Sequence, residues 1–279
     1  MKFKYFKFRR DILLLLCLTF LTGCVTINMN VPYKKTKMKT LSSKFKRRTY
    51  ICYRATAPIK ITGKMESAAW KKAFVVKHFY TWGKDNKLKP AVFQTTVKIL
   101  WDSKYLYVGA HMIDHDIEAY YTKFQSPTYN DDVFEIFIKP SEKSYNFYEI
   151  EINPRNATLQ LFLPRQGLYG ELQRYYDNNM RIKSAVSIQG LLNNWRVKSK
   201  GWTAELRIPF SAFKPSNTPA PQNGTKWRIA FCRYDYDYYL PKSYFNAVEL
   251  SSSAKLAQPN FHLYQDYDNI LFVDKPYSK

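Results

Sequence analysis

No run of 15 residues in this chain sustains the 3.6-residue period of an amphipathic helix. What recurs instead is a short apolar or alternating run closed by turn chemistry, and that rhythm predicts strands. The runs are Thr49–Arg54, Gln94–Trp101, Tyr105–Met112, Val133–Lys139, Asn146–Ile152, Ala157–Leu163, Ser184–Gln189, Trp202–Ile208, Lys226–Tyr234 and Asn269–Val273. Asp102-Ser103-Lys104 reads as a tight hairpin loop, Gly190–Gly201 as a longer connection, and Pro215–Gly224 as a Pro/Asn-rich loop. Only Glu66–Ala73 and a turn at Pro209–Phe213 have the composition of short helical pieces. About ten strands with little helix and no internal repeat predict an all-β domain, one antiparallel β-sandwich over residues 49–279.

Alternation assigns faces within the strands, because successive side chains point to opposite sides. Phe134, Ile136 and Ile138 share one face with Tyr148, Ile150 and Ile152 if the two runs pair through the loop around Pro140–Ser144. Glu135, Glu149, Glu151 and Asn153 then lie on the opposite face beside Phe137 and Phe147. Three carboxylates there repel one another unless a cation, a hydroxyl donor or an Arg/Lys partner intervenes. Two readings stay open: an ion-pair ladder with Arg207, Arg228 or Arg233, or contacts to a sugar on a polar-aromatic surface. Aromatic residues make up 17% of the chain, with 23 Tyr and 19 Phe, more than a core alone needs. Trp70, Trp101, Trp202 and Trp227 read as core, whereas Trp82, Trp195 and the run Tyr234-Asp235-Tyr236-Asp237-Tyr238-Tyr239 lie in loop-like sequence, able to form a platform or to close the sandwich end.

The N-terminus has a separate logic. Lys2, Lys4, Lys7, Arg9 and Arg10 precede an apolar run, Ile12–Leu21, that is too short to span a bilayer, which takes about 20 residues, and suits a signal-peptide core. The run ends in Leu21-Thr22-Gly23-Cys24, which resembles a bacterial lipobox. The resemblance implies a lipoprotein signal peptide over 1–23, lipidation at Cys24, and a chain anchored through lipid at the bacterial outer membrane or cell surface. Residues 24–48 read as a basic linker. The net charge is +22; the leader supplies +4 and residues 34–48 another +8, so residues 49–279 carry +10. Charge concentrated behind an anchor suits anionic head groups or a solvated spacer, and no nucleic-acid partner is expected. Cys17 lies in the leader and Cys24 is the expected lipidation site. That leaves Cys52 and Cys232, able to pair in an oxidising compartment or to serve as small core residues.

A family resemblance rests on seven motifs in order. Ile61-Thr62-Gly63-Lys64-Met65-Glu66-Ser67-Ala68-Ala69-Trp70 resembles the opening of family 9 carbohydrate-binding modules, and Val97–Asp102 with Tyr105–Val108 resembles that family's strand-turn-strand. Asp131–Ile138, Tyr148–Pro154, Gly201–Pro209, Trp227–Tyr234 and the terminal Asn260–His262 to Leu271-Phe272 continue the resemblance over about residues 50–274. It implies a β-sandwich of the immunoglobulin-like or DOMON-like jelly-roll type that binds carbohydrate and is not an enzyme. Family members hold a sugar ring between two aromatics and hydrogen-bond its hydroxyls with charged side chains. Carried onto this chain, the ligand-binding residues are Tyr129, Glu135, Glu151, Asn153, Arg233, Phe261 and His262. Phe261 and His262 stand where the family has Trp. Family 9 modules can carry structural calcium; the opening Asp-Gly is Thr62-Gly63 here, which removes the acid from that turn. No metal or cofactor is expected.

Other chemistries leave weaker traces. His111, Met112 and His115 suggest haem or metal, since some DOMON-like relatives bind haem, but two histidines four apart on a strand end do not share the helical face a zinc site uses. No Cys-x-x-Cys-His motif, nucleotide fingerprint or Ser/His/Asp arrangement is present. The expectation is a lipid-anchored, non-catalytic saccharide-binding protein. The alternatives are a structural lipoprotein docking another envelope protein and a haem-binding domain.

Overall fold

The computed structural model describes residues 43–167, 180–241 and 248–277; the expected signal peptide, Cys24 and residues 25–42 of the expected linker lie outside them. Fourteen strands form among the described residues. They are β1 (Thr49–Arg54), β2 (Phe74–Val76), β3 (Tyr80–Trp82), β4 (Leu88–Pro90), β5 (Thr95–Trp101), β6 (Tyr105–Met112) and β7 (Val133–Lys139), then β8 (Phe147–Ile152), β9 (Thr158–Leu163), β10 (Lys183–Gln189), β11 (Gly201–Pro209), β12 (Lys226–Asp235), β13 (Glu249–Ser252) and β14 (Asp268–Val273). All ten expected strands are present within a residue or so of their expected bounds. The additional ones, β2, β3, β4 and β13, are three or four residues long. Ala68–Lys72 and Phe210–Ser216 are 3-10 turns, as the two short helical segments anticipated.

The strands make two layers of one hydrogen-bonded network. One runs β10-β11-β6-β5-β1-β14, the other β9-β8-β7-β12-β13-β3-β4. β12 joins them: Lys226–Ile229 pair with β14, Cys232–Asp235 pair with β13, and β7 holds its other edge. Nearly every pairing is antiparallel, as expected. The exception is β1, which lies parallel to both β14 and β5. The main core fills the space between the layers with alternate residues, among them Val97 and Ile99, Val108 and Ala110, Phe134 and Ile136, Ile150, Leu206, Ile229 and Phe231. Each of the larger side chains contributes on the order of 1.5–3 kcal/mol on burial. Trp70, Trp101, Trp202 and Trp227 are all buried.

Each layer is also covered on its outer face. On the first, Ile59, Ile61, Ala69 and Trp70 pack over Leu100 and Tyr107. The tie is Glu205 of β11, whose Oε2 accepts from the Thr62 amide (2.8 Å), the Thr62 hydroxyl (3.1 Å) and the Gly63 amide (2.6 Å), while Oε1 accepts from the Trp70 indole (2.8 Å). Gly63 has φ +81° and a Cβ there would come within 2.6 Å of the Val186 backbone, so this turn needs glycine for both conformation and space. On the second layer, Ala254, Leu256, Phe261 and Tyr267 pack over Phe137, Phe147, Leu161 and Cys232.

The end of the expected linker belongs to the domain. Arg47 donates to the Gln265 carbonyl at 2.6 Å, and the Arg48 guanidinium meets Asp268 Oδ2 at 2.9 Å and the Ser253 carbonyl. Cys52 and Cys232 are buried free thiols in separate clusters on opposite sides of the second layer.

Candidate ligand-binding site

The β7–β8 hairpin builds the floor of a cavity on the outer face of the second layer. Its register places Glu135 directly opposite Glu151 and Phe137 opposite Glu149. On the other side of β7, the small residues Cys232 and Ala230 of β12 stand opposite Glu135 and Phe137, which leaves the space above the carboxylates open. Tyr234 of β12, Leu250 of β13, the segment 259–262 and Tyr129 from the short turn Thr128–Asn130 supply the walls. The cavity has a volume of about 440 Å³, within the range typical of small-molecule sites.

The three glutamates are almost wholly buried, at 1%, 6% and 1% exposure for Glu135, Glu149 and Glu151. One oxygen from each lies within 4.8 Å of the others. Burial pushes the Glu135 and Glu149 carboxyls well above the ordinary range, and the neighbouring carboxylates push them further. Burial raises Glu151 to about 7; hydrogen bonds from Thr128 Oγ1 at 2.5 Å, from Glu149 and from the Tyr129 amide restrain the rise. Burial in the cluster therefore favours the neutral form of Glu135 and Glu149, while Glu151 titrates near neutral pH. The cluster offers hydroxyl donors and carboxylate acceptors side by side. Burial drives His262 down to about 4, so its imidazole is neutral; its Nδ1 stands 3.9 Å from Glu149 Oε2, beyond hydrogen-bond reach.

These raised acids set the sign of a pH effect. The unfolded chain releases each proton near 4.5 and the folded chain retains it to higher pH, so the native state binds more protons and stability falls as pH rises. For Glu151 the window runs from about 4.5 to about 7. The urea midpoint is expected to be lower at pH 8 than at pH 5, and Glu135→Gln to flatten the difference. A Glu135→Gln profile parallel to that of the parent would contradict this assignment.

Five of the seven expected site residues meet at this cavity: Tyr129, Glu135, Glu151, Phe261 and His262. Two do not. Asn153 donates to Asp131 and the Tyr121 carbonyl, and its Oδ1 accepts from the Arg155 and Ala157 amides, so it shapes the β8–β9 turn. Arg233 stands opposite Phe134, on the inner side of β12, fully buried against Asp114 and Asp235. The ion-pair ladder is also overturned: Arg228 pairs with Glu142 and Arg207 lies over Tyr105, so none of the three arginines serves the glutamates. Tyr234, Phe137, Glu149, Leu250, Pro259 and Asn260 complete the lining. Tyr234 follows from the alternation of β12, since it shares a face with Ala230 and Cys232. The segment 259–262 follows from no local signal.

The other acidic cluster, Asp114, Asp132 and Asp235, already contains a cation in Arg233. Thr62 and Gly63 turn amides toward Glu205, so the opening turn offers donors where calcium would need oxygens. His115 packs against Phe93 and Tyr239. Tyr238 packs against exposed Trp195 with ring centroids 4.7 Å apart and planes tilted by 32°, while Tyr236 donates to the Tyr129 carbonyl behind the cavity wall.

Fold and cavity together define a β-sandwich ligand-binding module. The chain belongs to the carbohydrate family 9 binding domain-like family, whose model matches residues 61–239. It is 25% identical over 122 residues to endo-1,4-beta-xylanase A of Thermoanaerobacterium saccharolyticum, a match that takes in 44% of this chain and 9% of the xylanase. Its fold is similar to that of a Bacteroides uniformis ATCC 8492 protein provisionally described as carbohydrate-binding (TM-score 0.63, 13% identity, 81% of this chain and 100% of that one). It is also similar to a family 9 carbohydrate-binding module of Caldicellulosiruptor kristjanssonii solved with cellotriose (TM-score 0.54, 15% identity, 82% and 95%). Phe261 and His262 lie beyond the residues the family model matches.

Proposed function

We propose that the cavity binds a saccharide and that the domain is a non-catalytic carbohydrate-binding module. The observation that carries the reading is the juxtaposition of buried hydroxyl-bond partners with rings in one cavity: Glu135, Glu149 and Glu151 below, Tyr129, Tyr234 and Phe261 around them. A sugar presents polar edges to hydrogen-bonding groups and apolar faces to rings, which is the pairing such a lining meets. The family membership supports it, as do the C. kristjanssonii structures that hold cellotriose and glucose. One oxygen from each of Glu135, Glu149 and Glu151 lies within 4.8 Å of the others, side by side on the cavity floor, whereas glycoside hydrolysis needs two carboxyls flanking the scissile bond. That favours binding over cleavage.

Affinity gels carrying plant, algal and host polysaccharides test the reading. Retardation on at least one gel is expected. Tyr129 is 37% exposed at the cavity wall, and Tyr129→Ala is expected to weaken retention at least fivefold without altering the fold. Absence of retention on every polysaccharide would sink the proposal.

The same reading places the module on a lipid anchor at Cys24, at the bacterial outer membrane or cell surface, with the basic segment beside the head groups. Support comes from the Leu-Thr-Gly-Cys resemblance and the charge of the segment that follows it. Cys24→Ser is expected to block incorporation of labelled palmitate and move the protein to the soluble fraction. Unchanged labelling would refute the anchor.

A further inference from the structure

We propose that the cavity selects saccharides bearing a free, protonated amine over neutral ones. The proposal rests on the carbohydrate reading and names the class of sugar.

The molecule contains its own comparison. Among the described residues two clusters of three acids bring their oxygens within 4.8 Å of one another, and both are buried. In the first, Asp114, Asp132 and Asp235 surround Arg233, whose NH2 group lies 3.0 Å from both Asp114 Oδ2 and Asp235 Oδ1. In the second, Glu135, Glu149 and Glu151, the cavity lining contains neither lysine nor arginine. Its one basic side chain, His262, is held neutral. Glu135 Oε2 and Glu149 Oε2 are buried, without a hydrogen-bond partner among the described residues, on side chains that line the cavity. Burying acidic groups without partners costs several kcal/mol per ion if they are charged, so these acids favour the neutral form until a cation from outside the protein takes the place that Arg233 holds in the other cluster.

The spacing suits an ammonium group. A primary ammonium has three donors; with N···O distances of about 2.9 Å in tetrahedral directions, its acceptors stand about 4.7 Å apart. Three carboxyl oxygens no more than 4.8 Å apart meet that requirement. Tyr129, Tyr234 and Phe261 in the walls add ring faces that attract a cation. A hydroxyl in the same place brings one donor and no charge, so it gains no ion pair with the cluster. Binding the ammonium also draws a proton off the cluster, because a cation at this position favours the ionised carboxylates.

Isothermal titration at about pH 6.5 tests this with three ligand series of matched length: deacetylated chito-oligosaccharides, their N-acetylated counterparts and cello-oligosaccharides. The amine series is expected to bind at least tenfold more tightly than either neutral series. It should release protons, seen as a dependence of the heat on the buffer's ionisation enthalpy. The net charge of +10 on residues 49–279 opposes non-specific capture of a polycation, so tight binding reports the cavity. Glu135→Gln, checked for native fold by circular dichroism, is expected to bring the preference below threefold. Equal or weaker binding of the amine series, with neutral sugars bound, overturns the proposal and leaves the carbohydrate reading standing. Binding of cello-oligosaccharides only with added calcium, abolished by a chelator, overturns it in favour of a metal site. Binding of none of the three series overturns the amine preference, and the affinity gels then decide the carbohydrate reading.

Discussion

Arg233→Met is expected to destabilise the domain by about 3–5 kcal/mol, the usual cost of removing one partner from a buried ion pair. Arg233 has no exposed surface. Its guanidinium reaches Asp114 and Asp235 at 3.0 Å each and donates to the Ile113 carbonyl at 2.6 Å. Methionine fills much of the volume but returns none of these contacts. Asp114 would retain the Trp202 indole and the Asp116 amide; the Asp235 oxygens have no other hydrogen bond among the described residues. The stranded carboxyls would then have to be protonated to stay inside. The deficit should therefore be smaller at pH 5 than at pH 8. For a domain of this size a midpoint drop of about 6–20 °C is expected in thermal unfolding. A loss under 1 kcal/mol, or one independent of pH, would show that Arg233 acts by volume rather than charge.

Glu205→Leu is expected to cost about 3 kcal/mol or more, because it leaves several buried donors without acceptors at once. The donors are the Thr62 and Gly63 amides and the Trp70 indole. Glu205→Gln should be nearly as damaging despite its shape. One glutamine end is an amide NH2, and whichever way it turns it faces either Trp70 or the Thr62–Gly63 turn, donor against donor. The loss should be local first. Hydrogen exchange and proteolysis are expected to show residues 61–73 opening while the β7–β8 hairpin stays protected. If Glu205→Gln keeps parent stability, or if exchange rises uniformly across the domain, the segment is not held from this one carboxylate.

Much of this architecture is legible before any coordinates, because a period of two is a property of the chain. The alternation in Val133–Lys139 and Phe147–Ile152 alone puts Glu135, Glu149 and Glu151 together, opposite Phe134, Ile136 and Ile150. The same rule, applied to β12, sends Trp227, Ile229, Phe231 and therefore Arg233 inward and Tyr234 outward. Arg233 was expected at the ligand through family resemblance, and local alternation overrules it. Asn153 lies one residue past the end of β8, where the strand rule lapses and turn hydrogen bonds decide direction. Strands of three residues such as Leu88–Pro90 are specified by their neighbours' exposed edges rather than by their own side chains. The cavity's far wall, Pro259–His262, comes from a segment with no periodic signal, brought over the glutamates by Phe261 and Tyr267 packing on Phe137.

The parallel setting of β1 between β14 and β5 has a mechanical meaning. Arg47 and Arg48 fasten the chain just ahead of β1 to Gln265, Ser253 and Asp268, and five residue pairs along β14 then hold the strand itself. A pull along β1 from the N-terminal side would load those rungs together in shear, whereas a hairpin peeled from its open end yields one rung at a time. The strand nearest the N-terminal segment is thus seated as an anchor bolt is, gripped along its length, with the glutamate cavity carried on other strands.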